Sequence, residues 1–217
     1  MEDSYKHQGL RKHLVEIIRE KGIADPNVLN AIGKVPRHFF FDSSFLSYAY
    51  EDKAFPIGAG QTISQPYTVA FQTELLRIAR GQKVLEVGTG SGYQACILAE
   101  MGAKVFSIER QKSLFDKATA FLPSMGYRIK LFYGDGYKGL PAYAPFDKII
   151  VTAGAPFIPE PLTGQLKTGG ILVIPVGKGD VQIMTTVTKT GEKIFETKEH
   201  GSFRFVPLLG DKARDDG

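Results

Sequence analysis

The chain has 217 residues, 43% of them hydrophobic, with 27 Lys and Arg against 23 Asp and Glu and a formal net charge of +4. That composition supports a large core and excludes intrinsic disorder, and the mild, unclustered basic excess argues against a nucleic-acid partner. The single cysteine excludes an internal disulfide, and with no signal-peptide pattern and no apolar run near a membrane-spanning length, a cytoplasmic protein without membrane association is expected.

The first 60 residues read as a helical extension. Leu10, Leu14, Ile17 and Ile18 share one helical face, and Gly22 supplies a stop. Asp25-Pro26 gives an N-cap and a first-turn proline to a second helix carrying Val28, Leu29 and Ile32, which Pro36 ends. Aromatic residues from Phe39 to Tyr50 follow without a clear period. A glycine-rich loop from Pro56, PIGAGQTISQP, leads into a helix over 66–79.

Short apolar runs then alternate with helices. Strands are predicted at Lys83–Val87, Val105–Ile108, Ile129–Tyr133, Lys148–Thr152 and Ile171–Val176, with helices near 92–101 and 111–122. The runs are continuously hydrophobic, which marks strands buried on both faces, so the fold class is α/β with a doubly wound, mostly parallel sheet. Val181–Thr188 and Lys193–Lys198 flank the turn residues Thr190-Gly191 and read as an antiparallel hairpin closing the sheet edge as its sixth and seventh strands. A last short run covers Phe203–Leu209. One domain over 1–217 is expected, with a helical extension at 1–60, a core at 61–209 and a flexible tail at 210–217.

The sharpest motif is Val84-Leu85-Glu86-Val87-Gly88-Thr89-Gly90-Ser91-Gly92, where the first strand of the core turns into a helix. Glycines there let the backbone approach a ligand beside a helix N-terminus. The spacing completes neither a G-x-G-x-x-G dinucleotide fingerprint nor a P-loop, which argues against a nicotinamide oxidoreductase. Glu109 ends the next strand, where an acid can accept from both hydroxyls of a ribose. Gly134-Asp135-Gly136 follows the third strand and would alone read as an Asp-Gly turn. All three stand at the carboxyl ends of strands, where open sheets bind ligands.

The Glu86–Gly92 run resembles the first signature of Rossmann-like methyltransferases that use S-adenosylmethionine. Gly60-Gln61-Thr62-Ile63-Ser64-Gln65-Pro66 resembles the hallmark of the protein-L-isoaspartate (D-aspartate) O-methyltransferase family, as do Asp147–Ala155 and Gly169–Gly177. The resemblance runs from about residue 8 to 209. It implies a Rossmann-like methyltransferase fold, with the last two strands exchanged in order relative to other methyltransferases. It implies S-adenosyl-L-methionine as cofactor and the free carboxylate of L-isoaspartyl residues in age-damaged proteins and peptides as methyl acceptor, the ester then closing to a succinimide. Ser64 would be the catalytic residue, with Thr62, Ile63 and Val206 also binding substrate. Glu86, Gly88, Thr89, Gly90, Gly92, Glu109, Asp135 and Gly136 would bind the cofactor. Neither a metal nor a partner subunit is implied.

From the residues alone, Ser64 also reads as the N-cap of the helix that Pro66 opens, and a free helix N-terminus suits an anion. The chemistry asks for little more. A carboxylate with a reference pKa of about 4 is ionised at neutral pH and needs no general base, which fits the lack of any Ser-His-Asp or Cys-His set. His7, His13, His38 and His200 are scattered without metal spacing, and Cys96 reads as a small buried residue. A methyltransferase of RNA or of a small molecule is the alternative. Thr152-Ala153-Gly154-Ala155-Pro156 lacks the Asn/Asp-Pro-Pro-aromatic clamp of base-amino methylation.

Overall fold

The computed structural model describes residues 2–213. Helix α1 (Tyr5–Glu20) is capped by the Ser4 hydroxyl, which accepts from the His7 amide, and it buries Leu14 and Ile18 while Leu10 stays exposed. Gly22 follows it at φ +100°. Helix α2 (Pro26–Lys34) starts where the Asp25 carboxylate accepts the Asn27 amide at 2.8 Å, and it buries Val28, Leu29 and Ile32. The aromatic stretch forms two 3-10 turns, Arg37–Phe40 and Ser43–Tyr48. Their period of three is neither helical nor strand-like, which is why no pattern was legible.

The glycine-rich stretch is more regular than expected. β1 (Phe55–Gly58) and β2 (Gln61–Ile63) form an antiparallel hairpin around a two-residue turn, Ala59 and Gly60, at φ +50° and +65°. Both turn residues with positive φ match the twist of a hairpin. Helix α3 (Pro66–Leu76) stops short of the expected 79 because Arg77 turns left-handed at φ +51°.

The main sheet contains β3 (Lys83–Val87), β4 (Lys104–Glu109), β5 (Lys130–Tyr133), β6 (Phe146–Val151), β7 (Leu166–Val176), β8 (Gln182–Lys189) and β9 (Phe195–Phe203), in the order β5-β4-β3-β6-β7-β8-β9. β3 to β7 are parallel, and β8 and β9 are antiparallel to their neighbours. This is the doubly wound, mostly parallel seven-stranded sheet with a C-terminal antiparallel hairpin, and its last two strands follow in chain order. β7 begins earlier than Ile171 because its first half contains Gly169 and Gly170, which masked the strand.

Side chains alternate between the two faces along each strand. Val84, Val105, Ile150, Val173 and Met184 face one side, beneath α3 and α4 (Tyr93–Glu100). Leu85, Phe106, Ile149, Leu172 and Val187 face the other, under α6 (Glu160–Gly164) and the segment that carries Leu208. Helix α5 (Lys112–Ser124) joins α1, α2 and α4 in a further cluster through Ala118 and Leu122.

After β9 the chain turns back. The Gly154 amide donates to the Val206 carbonyl at 2.8 Å and the Leu208 amide to the Gly154 carbonyl at 2.7 Å, which lays this strip across the carboxyl ends of the strands. Of the expected tail, residues 214–217 lie outside the described residues. The Ala213 amide donates to the Arg110 carbonyl at 2.9 Å, and the Ala213 carbonyl accepts from the Lys112 amide at 3.3 Å.

Candidate functional site

Four loops leave the carboxyl ends of β3, β4, β5 and β6, and a cleft opens among them. Gly88, Thr89, Gly90 and Ser91 line it from the first loop, Glu109 and Arg110 from the second, Gly136 from the third, and Thr152 and Ala153 from the fourth. Gln61 to Ser64 close it from the β1–β2 hairpin side, and Val206 to Leu209 from the returning strip.

The glycine loop is held from several directions. The Gly88 amide donates to the Ile108 carbonyl at 2.9 Å, and the Thr152 hydroxyl donates to the Gly88 carbonyl at 2.7 Å. A Cβ at Gly88 would collide with that hydroxyl, and the residue stands at φ +97°. Gly92 serves packing: at φ +86° it opens α4, and a Cβ there would lie 2.7 Å from the Leu122 side chain of α5.

The two acids at the first two strand ends part company. Glu109 is 5% exposed, and its carboxylate oxygens accept the amides of Gly90 and Gln111, each at 2.8 Å. It therefore braces the loop while lining the cleft. Glu86 is fully buried and does not line it. The Ser107 hydroxyl donates to Glu86, and the Thr89 hydroxyl stands 2.5 Å from that of Ser107. Burial pushes the Glu86 carboxyl up to about 8, with the Ser107 hydrogen bond opposing and Glu109 adding to the shift. Asp135 also lies back from the cleft, accepting the Tyr137 amide at 2.9 Å, while Gly136 beside it reaches the surface of the site.

On the other side, Ser64 is not the N-cap of α3, which its position before Pro66 had suggested. Gln65 occupies that position, and the amide of Tyr67 is taken at 2.7 Å by Asp52 from a preceding turn. One of the first free amides of α3 is thus already taken by Asp52. The Ser64 carbonyl accepts from Arg37 at 2.9 Å, and among the described residues the Ser64 hydroxyl has no hydrogen-bond partner.

A second groove, lined by Lys21, Gln65, Tyr67, Val181 and Ser202 to Phe205, opens to solvent beside the first. The two share Thr62, Ser64, Thr152 and Val206. Of the residues singled out in the sequence, Thr62, Ile63, Ser64, Val206, Gly88, Thr89, Gly90, Glu109 and Gly136 converge on the cleft, while Glu86, Gly92 and Asp135 stand behind it. Sequence reasoning missed Arg110 and Thr152 as site residues. The signal for Arg110 was its position just after a strand, and for Thr152 its place in the Asp147–Ala155 run.

Known proteins resemble this chain in sequence and in fold. Residues 9–213 match the family described as Protein-L-isoaspartate(D-aspartate) O-methyltransferase (PCMT). The Protein-L-isoaspartate O-methyltransferase of Christiangramia forsetii is 63% identical over 98% of this chain and all of its own length, and that of Flavobacterium psychrophilum is 62% identical with the same coverage. A solved protein-L-isoaspartate O-methyltransferase superposes with a TM-score of 0.84 at 29% identity, over 93% of this chain and 66% of that one. A candidate member from Plasmodium falciparum, solved in complex with S-adenosyl-L-homocysteine, gives 0.80 at 26% identity, over 92% of this chain and 98% of that one.

Proposed function

The chain belongs to the protein-L-isoaspartate(D-aspartate) O-methyltransferase family, and on that premise we propose how its residues divide the reaction. The enzyme methylates the free carboxylate of L-isoaspartyl residues in damaged proteins and peptides, using S-adenosyl-L-methionine, and so begins their repair. The ester then closes to a succinimide, the neighbouring backbone amide nitrogen attacking its carbonyl and methanol leaving. The observation that carries the assignment of residues is the meeting of the two clefts at Thr62, Ser64, Thr152 and Val206.

The inner cleft suits the cofactor. It presents a backbone loop with no Cβ at Gly88, a carboxylate at Glu109 and apolar walls from Ile108 and Leu208. When bound, S-adenosylmethionine supplies an activated methyl group on a sulfonium. We assign Gly88, Thr89 and Gly90 to its amino-acid end, Glu109 to the ribose hydroxyls and Gly136 to the wall around the base. Glu86, Gly92 and Asp135 act one layer back: Glu86 through Ser107 on Thr89, Gly92 by seating α4 on α5, and Asp135 by capping the turn after β5.

The outer groove takes the damaged chain. Its carboxylate is already the nucleophile at neutral pH, so the residues need only hold it, orient it and keep water away. Ser64 donates its free hydroxyl to that carboxylate. Thr62 and Ile63 shape the approach, and Val206, pinned by Gly154, forms the facing wall. Ser64→Ala should lower kcat for a synthetic isoaspartyl peptide roughly 10- to 100-fold, the worth of one hydrogen bond to a charged group, with cofactor affinity retained. Methyl transfer to the normal aspartyl twin should be absent. Equal losses in turnover and in cofactor affinity would remove Ser64 from the acceptor site.

The same reading makes the enzyme a monomer in the cytoplasm. The exposed edge strand β9 carries Glu196, Lys198 and Glu199, charges that discourage strand pairing between copies. Among the described residues no helix is long and apolar enough to cross a membrane. Sedimentation at increasing concentration tests the first point, and a rise in mass would overturn it.

A further inference from the structure

Arg37 has 0% of its surface exposed. Taking a guanidinium out of water costs several kcal/mol unless it is well paired, and among the described residues no carboxylate forms an ion pair with it. Its Nη2 donates to the Ser64 carbonyl at 2.9 Å and to that of Lys53 at 3.3 Å, while Nε and Nη1 find no partner. Its flat group lies 4.8 Å from the ring centre of Tyr93 and 5.3 Å from that of Phe41. Burial lowers its pKa to about 10, which leaves it charged at neutral pH.

What it touches explains its retention. Lys53 and Ser64 are the two feet of the β1–β2 hairpin, so one nitrogen ties both feet together. Asp52 reinforces the junction, accepting the Tyr67 amide at 2.7 Å and the Gln65 side chain at 3.0 Å. The carbonyl of Ser64 is thereby held from behind and its hydroxyl is left free. Tyr93, whose ring also packs on Arg37, is the first residue of α4 after the glycine loop and lines the cofactor cleft. A buried apolar side chain of similar size would often stabilise a core as well or better, but it could not grip two carbonyls.

We propose that Arg37 is a positioning residue, whose buried guanidinium fixes the Ser64 backbone against the helix that follows the cofactor loop and so sets the distance between methyl acceptor and methyl donor. The inference rests on the reading of Ser64 as the acceptor-site residue. Misplacement by about 1 Å can cost roughly 100-fold in rate, so a residue that sets this spacing acts on turnover before affinity.

The experiment compares Arg37→Lys, Arg37→Met and Ser64→Ala in the full chain. It reads kcat and KM for a synthetic isoaspartyl peptide, the Kd for S-adenosyl-L-homocysteine, and the thermal midpoint. Arg37→Lys should fold, bind S-adenosyl-L-homocysteine like the parent and lose roughly 10- to 100-fold in kcat, because an ammonium cannot reproduce the stacked fork. Arg37→Met, where it folds, should lose more in kcat without a matching fall in midpoint. Parental kcat in Arg37→Lys, beside an impaired Ser64→Ala, would overturn the inference alone. So would a fall in kcat matched by an equal fall in cofactor affinity. Parental kcat in Ser64→Ala would overturn the acceptor-site reading, and the inference with it.

Discussion

Glu86 is enclosed beneath the glycine loop, with burial raising its carboxyl to about 8 from an ordinary value near 4.5. Between those values the folded chain keeps a proton that the unfolded chain has released. Stability from this group is therefore fully present below about pH 4.5 and is lost as pH rises toward 8, by about 1.4 kcal/mol per unit within the window. Glu86→Gln, which cannot ionise, should flatten the pH dependence of urea unfolding across that window. Superimposable profiles for parent and variant would show that Glu86 does not titrate there. The sequence offered Glu109 from its place at the end of a strand, and Glu86 only through the resemblance of the run it opens. What separates them is register: β3 and β4 set Glu86 opposite Ser107, inside the sheet, while Glu109 is one step beyond the last pair of those two strands and reaches the Gly90 amide. Local spacing carries no information about that pairing. Arg37 escaped notice for the same reason, since its partners lie in segments far along the chain.

The parallel strands of the core were legible as elements because runs buried on both faces need no alternation to announce themselves. Where glycine thinned the pattern, as at Gly169 and Gly170, a strand start was lost, and the β1–β2 hairpin passed for a loop. The cap of α3 was misread because capping rules look to adjacent residues. Here the acceptor is Asp52, fifteen positions before the Tyr67 amide that it takes. Its side chain is only 8% exposed and also meets Lys21. Asp52→Ala should cost about 1–2 kcal/mol of stability, the usual worth of such a cap. It should also reduce isoaspartyl turnover, because Gln65, the neighbour of Ser64, loses its anchor. Chemical denaturation and the peptide assay read the two effects separately, and a parental denaturation midpoint would show that α3 needs no cap.

At the scale of the whole molecule, the cleft's position at the carboxyl ends of the strands followed from the topology, but its far wall did not. That wall comes from a strip which leaves the sheet at its edge and returns to Gly154, and its continuation ties Ala213 to Arg110 and Lys112 beside the cofactor loop. Removing residues 210–217 should leave the circular dichroism unchanged and weaken S-adenosyl-L-homocysteine binding. The readout is a smaller rise in thermal midpoint at saturating ligand, where about 2.7 kcal/mol is expected at a hundredfold excess over Kd. An unaltered rise would mean that the strip beyond Leu209 plays no part in holding the site.

The returning strip also orders events in time. A chain is delivered from its N-terminus, and domains fold as it emerges. A nascent chain that has reached Phe203 already possesses every strand of the sheet, but Val206 and Leu208 are still to come. The far wall of the cleft is therefore the last part of it in chain order, after every strand of the sheet. A nested set of C-terminal truncations, assayed at saturating S-adenosyl-L-methionine, should show its main step in activity at residues 206–208.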